Sequence, residues 1–255
     1  MKRVLTSLIL IPLVLYVTIL GPSWLVFGTV TLCAMLCYRE YASIAAAYSV
    51  PQFGAVGYAA GLGVLALPDG AALFLTVVAL ASLCLAMRSL DLASVLPGAS
   101  SLLFGVVYIF GSWKCAILLR EASPYWLLLA LSVNWVGDAS AYYVGKNFGK
   151  RKLAPRISPG KTWEGSAASM AAAIAFGLAY LWRFWPDMPV LEAMWLLAIA
   201  NAAGQLGDLA ESALKRGAGV KDSGNLLPGH GGMLDRVDSV LFTMPVLYAY
   251  LRLVR

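Results

Sequence analysis

Residues 208–238 read DLAESALKRGAGVKDSGNLLPGHGGMLDRVD and form a dense polar segment in an otherwise apolar chain. The segment holds five of the thirteen acidic residues, four of the nineteen basic residues and the single histidine, and apolar runs lie on both sides. Asp208 and Ser212 are four residues apart, and Asp235 and Asp238 are three apart, so each pair lies on one helix face. The pattern predicts a polar insert between two apolar helices.

The glycines and mixed charges of this insert favour a site for a metal-bound phosphate. Six glycines lie between the two helical parts, and glycine lets backbone N–H groups approach an anion closely. Carboxylate oxygens are hard ligands that suit Mg²⁺, while lysine and arginine neutralise phosphate oxygens. The alternative is a solvated loop whose charges have no catalytic part.

The composition indicates an integral membrane protein. Of the 255 residues, 60% are hydrophobic and 13% are charged, far below the roughly 25% charged residues of a soluble domain. Because roughly 20 apolar helical residues span a bilayer, we predict an all-α polytopic fold, in a single membrane domain over residues 1–255. About nine transmembrane helices are expected by this length criterion, at 4–20, 23–38, 53–67, 70–87, 98–119, 124–145, 163–183, 189–210 and 237–254.

The distribution of basic residues predicts the orientation of these spans. With alternating spans, fourteen bases lie on the side of the N-terminus and four on the other side, which places the N-terminus in the cytosol. The polar loops 146–162 and 211–236 then face the cytosol together and can build one site. The net charge of +6 arises from bases in a few loops, which points to membrane orientation and anionic substrates, with no nucleic-acid partner.

The first of these loops contains a predicted helix start. Ser158 is expected to be an N-cap and Pro159 to lie in the first turn of the next helix. Lys161 and Thr162 would then lie at a helix N-terminus, whose unpaired N–H groups and positive dipole end suit a phosphate. The alternative for the basic residues of this loop is anchoring to lipid headgroups alone.

Asp138 lies well inside an apolar run, where an ionised carboxylate is costly. We expect its side chain to face the protein interior or a wet cavity. Two roles stay open: a place in the floor of the site, or a structural partner for a polar side chain on a neighbouring helix.

The two polar loops resemble recurrent stretches of the phosphatidate cytidylyltransferases, also called CDP-diacylglycerol synthases. Residues 212–238 show no mismatch with the signature of that family, which consists of SALKR, four residues, KDSG, two residues and LPGHGGMLDRVD. The run SPGKTWEG at 158–165 resembles a second stretch, in which lysine is expected in place of Gly160. The resemblance implies transfer of the cytidylyl group of CTP to phosphatidate, giving CDP-diacylglycerol and pyrophosphate, for phospholipid biosynthesis. It also implies an integral plasma (inner) membrane protein with its active site at the cytosolic face.

The resemblance further implies roles for the polar residues. The expected metal ligands are Asp208, Asp235 and Asp238, which would hold Mg²⁺, with K⁺ as a second cation. The expected catalytic residues are Lys215, Arg216, Lys221, Asp222, His230 and Arg236. The expected substrate-binding residues are Lys161, Thr162, Ser212, Asp138 and Arg156. Three roles stay open for His230: phosphate donor, loop organiser or protonator of the leaving pyrophosphate.

Two other functions stay open from the sequence. A CTP-dependent lipid kinase of the polyprenol type would transfer the γ-phosphate and release CDP. A transporter would use Asp138 and the loop acids as ion sites, but transporters place such charges near the midplane, often in inverted repeats, and the sequence shows no repeat.

The two halves of the chain are expected to have different roles. Residues 1–123 would form lipid-facing or oligomerising helices, and residues 124–255 the catalytic helices and cytosolic loops. Small residues at 165–173 favour close helix packing. That packing is equally consistent with contacts inside a monomer and with a homodimer.

Overall fold

The computed structural model describes residues 2–51, 53–67, 71–89, 91–226 and 231–254, and their side chains apart from those of 2–10 and 71–72. Ten α-helices lie within these ranges: α1 Lys2–Ile19, α2 Ser23–Ala46, α3 Gly54–Ala66, α4 Ala71–Ala86, α5 Val95–Gly105, α6 Ser112–Ala122, α7 Pro124–Phe148, α8 Trp163–Phe184, α9 Val190–Gly217 and α10 Leu234–Leu253. A 3-10 turn, Leu92–Ser94, precedes α5, and a π-helix, Val106–Gly111, joins α5 to α6. A short antiparallel hairpin, β1 Lys152–Ala154 and β2 Ser158–Thr162, follows α7.

Each predicted span contains a helix, and the all-α class is confirmed. Three helices of the described chain are long and apolar enough to cross a membrane, namely Leu92–Ala122, Trp163–Phe184 and Val190–Gly217. Two shorter helices, Gly54–Ala66 and Leu73–Ala86, are also apolar. The count of nine crossings stays a prediction.

The chain forms two compact units, and residues 214–236 of the polar insert belong to the first. This unit contains Pro22–Ile117 and Leu214–Arg236, together with the first few residues of the chain. Its core is aromatic: the rings of Tyr38 and Phe110 have centroids 5.4 Å apart. Gly57 and Gly61 of α3 lie so close to these two rings that a side chain at either position would collide with them.

The second unit contains Ser7–Gly21, Leu118–Ala213 and Val237–Arg255. Its helices are joined by buried polar side chains. Asn134 on α7 donates to Thr243 Oγ1 on α10 at 3.0 Å, and Thr243 donates to the carbonyl of Ala200 on α9 at 3.2 Å. Such bonds between helices are characteristic of interiors in which water does not compete for the donors.

The hairpin corrects the predicted start of α8. Ser158 and Pro159 lie in β2, and Thr162 is the N-cap, because its Oγ1 accepts the N–H of Gly165 at 3.1 Å. The chain before Thr162 stays extended since β2 pairs with β1, in the register Lys152 to Thr162. The restriction that a proline places on the residue before it also favours an extended Ser158.

Candidate active site

In the second unit, a lysine–aspartate pair joins β2 to α9. Lys161 Nζ lies 2.7 Å from Asp208 Oδ2, and the two side chains are 25% and 33% exposed. Ser212, one turn further along α9, donates to Asp208 Oδ1 at 3.3 Å. The predicted substrate residue Lys161 and the predicted metal ligand Asp208 are therefore in direct contact.

A second acid-bearing turn lies beside Asp208. A Cβ placed on Gly207 would lie 2.6 Å from the carbonyl oxygen of Asp238, so α9 and α10 approach at backbone distance. Asp238 Oδ1 accepts the N–H of Ser239 at 2.7 Å. Asp138 on α7 is exposed and lies close enough to Asp208 and Lys161 for their charges to interact. This unit thus brings acids of α7 and α9 near Lys161, and the turn of α10 that carries Asp238 lies beside α9.

Thr162 follows Lys161 in the chain and is 4% exposed. Because its oxygen accepts the N–H of Gly165, its main role in this structure is to cap α8. Glu164, in the first turn of α8, accepts the N–H of Arg151 and so ties the hairpin to the helix. Arg156, predicted to bind substrate, is exposed in the turn between β1 and β2.

In the first unit, Asp235 is the centre of a bonded cluster. Its Oδ1 lies 2.5 Å from Lys215 Nζ, and the side chains are 8% and 10% exposed respectively. Its Oδ2 accepts the N–H groups of Ser223 at 2.9 Å and Gly232 at 2.8 Å. Burial alone would raise the pKa of Asp235, but the Lys215 ammonium and the two N–H donors outweigh it, so the pKa lies below its usual value.

Glycine at 231 is required by this geometry. Its φ is +78°, in the left-handed region, and a Cβ there would lie 2.5 Å from Asp235 Oδ2. The glycine-rich loop therefore wraps a carboxylate of the chain itself. The expected approach of its N–H groups to an anion is seen here with Asp235 as the anion.

Glu40 on α2 was missed by the sequence reasoning. It is buried, and its carboxylate accepts hydrogen bonds from Ser223, Met233 and Leu234 of the polar insert. The available signal was an acid at the end of the second predicted span. The structure extends that helix eight residues further, to Ala46, so Glu40 lies within α2.

The remaining predicted catalytic residues lie on the surface of the insert. Arg216, Lys221, Asp222 and Arg236 are exposed, and Arg216 Nη1 donates to the carbonyl of Val220 at 3.0 Å. Exposed bases and acids of this kind are available to a ligand from solution. His230 lies outside the described residues.

Comparison with known proteins identifies the family. A model described as the cytidylyltransferase family matches residues 1–254. The chain belongs to the cytidylyltransferase family. It is 38% identical over 272 aligned positions to a phosphatidate cytidylyltransferase of Pseudomonas aeruginosa, with 98% of this chain and 96% of that protein covered.

Two further relatives carry the same name. A phosphatidate cytidylyltransferase of Staphylococcus aureus (strain COL) is 34% identical over 256 aligned positions, with 96% of this chain and 97% of that protein covered. One of Bacillus subtilis is 48% identical over 153 positions, with 58% of this chain and 56% of that protein covered. The resemblance read from the two loops is confirmed.

Some polar residues of this cytidylyltransferase family member are suited to bind a divalent cation. Within the described ranges, no three His, Cys, Asp or Glu side chains lie close enough together to hold a metal. The donor chemistry still suits Mg²⁺, because Asp208 is a partly exposed carboxylate beside the Ser212 hydroxyl and the Asp238 turn. Asp208 is paired with the Lys161 ammonium, and the flexible lysine side chain can rotate so that this ammonium leaves the carboxylate.

Proposed function

We propose that this protein is a phosphatidate cytidylyltransferase, which converts CTP and phosphatidate to CDP-diacylglycerol and pyrophosphate in phospholipid biosynthesis. The observation that carries this function is the match, over nearly the whole chain, to proteins of that name. An oxygen of the phosphatidate phosphate attacks the α-phosphorus of CTP. The bond from that phosphorus to the oxygen that bridges to the β-phosphate breaks, and pyrophosphate leaves.

Both reactants are anionic, so the protein must bring negative charges together and hold them in line. Lys161 is suited to a triphosphate oxygen, because it is partly exposed and paired with only one carboxylate in the described structure. The exposed bases Arg216, Lys221 and Arg236 are assigned to substrate phosphates, with arginine suited to two-point contacts and lysine to single ones. A phosphate monoester is largely ionised at neutral pH, with a second pKa of about 6, so the attack needs no general base.

We assign the divalent cation to Asp208 and Asp238, supported by the close approach of their turns on α9 and α10. Asp235, one helical turn before Asp238, is proposed as a third ligand, and Ser212 as a neighbouring oxygen donor. Bound Mg²⁺ would supply positive charge to the phosphate oxygens during transfer. K⁺ is proposed as a second cation.

Three residues receive narrower roles. Asp138 is proposed to line the substrate site, because it is exposed on α7 near Lys161. Thr162 is proposed to contact substrate through its hydroxyl proton, since its oxygen already accepts the N–H of Gly165. His230 is assigned to phosphate binding or loop organisation by the sequence alone.

The setting of the reaction follows from its substrates. Phosphatidate lies in the bilayer and CTP is soluble, so the site must lie at a membrane surface. We propose a multi-pass protein of the plasma membrane with its catalytic loops in the cytosol, as the distribution of basic residues indicates. The small residues at the start of α8 support close helix contacts, and a homodimer is proposed on that basis.

The test of the function is the fate of labelled CTP with purified protein and phosphatidate vesicles. We expect label in the α-phosphate to enter the lipid and label in the γ-phosphate to leave as pyrophosphate. Transfer of the γ-label to lipid, with release of CDP, would instead identify a lipid kinase. Vesicles without phosphatidate serve as the control and should give neither product.

A further inference from the structure

Glu40 is a buried carboxylate that accepts three hydrogen bonds from the polar insert. It is 7% exposed. Its Oε1 accepts the N–H of Met233 at 2.8 Å, and its Oε2 accepts the N–H of Leu234 and the hydroxyl of Ser223, each at 2.8 Å. Burying a carboxylate is unfavourable unless such donors surround it. The three donors therefore require a hydrogen-bond acceptor at this position, and a carboxylate suits them best.

The two N–H donors lie at the start of α10. Leu234 is the first residue of that helix and Met233 immediately precedes it. The first N–H groups of a helix have no partner within the helix, and a carboxylate there also interacts favourably with the positive end of the helix dipole. Glu40 thus caps α10 from a different helix, α2, and determines where α10 begins.

The loop is shaped to fit this carboxylate. A Cβ on Gly224 would lie 2.8 Å from Glu40 Oε1, and a side chain on Gly232 would collide with Oε2. Ser223 connects Glu40 to Asp235: its hydroxyl donates to Glu40 and accepts the N–H of Asp235 at 3.4 Å, and its own N–H donates to Asp235 Oδ2. A displacement of Glu40 would therefore move Asp235.

We propose that Glu40 is a positioning residue for cytidylyl transfer, acting by fixing the first turn of α10 and with it the carboxylate of Asp235. The inference rests on the proposed function of the protein. Both Glu40 oxygens are engaged by the chain itself, so Glu40 acts through Asp235. Its loss changes how CTP and Mg²⁺ are held, in addition to any effect on the amount of folded protein.

The experiment compares three variants of the full-length purified protein. Glu40→Gln keeps the size of the side chain but turns an NH₂ group towards the N–H donors. Glu40→Asp keeps the charge on a shorter side chain. Glu192→Gln is the matched control. Glu192 lies in the first turn of α9 and also accepts a side-chain hydrogen bond, from Tyr250. The readouts are the half-saturating concentrations of CTP and Mg²⁺, and amide hydrogen exchange of residues 231–238 without substrate.

In Glu40→Gln we expect a rise of about 10-fold or more in the half-saturating concentration of Mg²⁺ or CTP and faster exchange at the start of α10. Glu40→Asp should recover part of both effects, and Glu192→Gln should match the wild type. If Glu40→Gln does not fold, the same readouts on Glu40→Asp decide.

A lower maximal rate with unchanged half-saturation and unchanged exchange would overturn the proposal, because it reports only less folded enzyme. An inactive wild-type protein would overturn the proposed function instead. In that case the exchange rates, measured without substrate, would still show whether Glu40 fixes the start of α10.

Discussion

The buried pair formed by Lys215 and Asp235 gives a prediction in which stability and activity separate. The side chains are 10% and 8% exposed, so water screens their interaction poorly. In Asp235→Asn an amide replaces the carboxylate beside the Lys215 ammonium. Removing one partner of a buried pair costs about 3–5 kcal/mol of unfolding free energy, and we expect a loss in that range.

The double variant Lys215→Met with Asp235→Asn should lose less unfolding free energy than the sum of the losses in the two single variants. Methionine removes the ammonium, while the asparagine carbonyl can still accept the N–H groups of Ser223 and Gly232. A coupling free energy of about 2–3 kcal/mol is expected for groups in direct contact. Cytidylyl transfer should stay absent in the single and double variants alike, because the carboxylate is proposed as a metal ligand.

Reversible denaturation in mixed detergent micelles measures the stability, and label transfer from CTP measures the activity. Lys221→Met is the matched control, an exposed lysine of the same loop, and should change stability by no more than about 0.5 kcal/mol. The buried pair would be refuted if Asp235→Asn lost less than about 1 kcal/mol of unfolding free energy. It would also be refuted if the losses of the two single variants simply added up in the double variant. Normal turnover in the double variant would refute a catalytic part for the carboxylate.

Two further predictions concern β2 and α8. Lys161→Met and Asp208→Asn should each change stability by less than about 1 kcal/mol, because the pair is partly exposed, yet lower turnover by about 100-fold or more; equal losses of folded protein and activity would argue against a role in substrate binding. Thr162→Val should lose about 0.5–2 kcal/mol of stability by removing the cap of α8, measured in the same denaturation assay. Thr162→Ser keeps the oxygen and should stay close to wild type; an equal loss in both variants would contradict the capping role.

The helices were predictable because their apolar runs are long and bounded by Gly, Pro and charged residues. The end of α2 was placed too early, at residue 38, since Arg39 and Glu40 read as the edge of a span. Arg39 is indeed exposed, but Glu40 is buried. Its burial depends on hydrogen-bond donors 183 to 194 residues away in the sequence. The residues around Glu40 do not predict such distant partners.

The hairpin and the cap of α8 show a second limit. Residues 152–154 and 158–162 lack the alternation of apolar and polar residues that marks a strand. The two strands are paired by backbone hydrogen bonds, which depend little on side-chain identity. Ser158-Pro159 is a good helix start by local preference, whereas Thr162 is the N-cap observed. Here pairing between β1 and β2 overrides the local preference.

The candidate site was predictable in its chemistry more than in its connections. The sequence identifies Lys161 and Asp208 as site residues, but it does not predict their contact with each other. The sequence likewise predicts that Lys215 contacts phosphate and Asp235 a metal, whereas the two side chains contact each other in the described structure. Charge type and spacing identify such residues, while the choice among oppositely charged neighbours depends on the packing of helices.

Carboxylates on α9 and α10 are proposed to hold the divalent cation that accompanies CTP. Binding of Mn²⁺, followed by the paramagnetic resonance signal of the free ion in the presence of CTP, tests it most directly. We expect Asp208→Asn and Asp238→Asn to weaken Mn²⁺ binding by about 10-fold or more. Glu192→Gln, at a residue that accepts a hydrogen bond from Tyr250 and has no proposed part in the site, should bind as the wild type does. Unchanged Mn²⁺ affinity in both aspartate variants, with the protein folded, would contradict the claim.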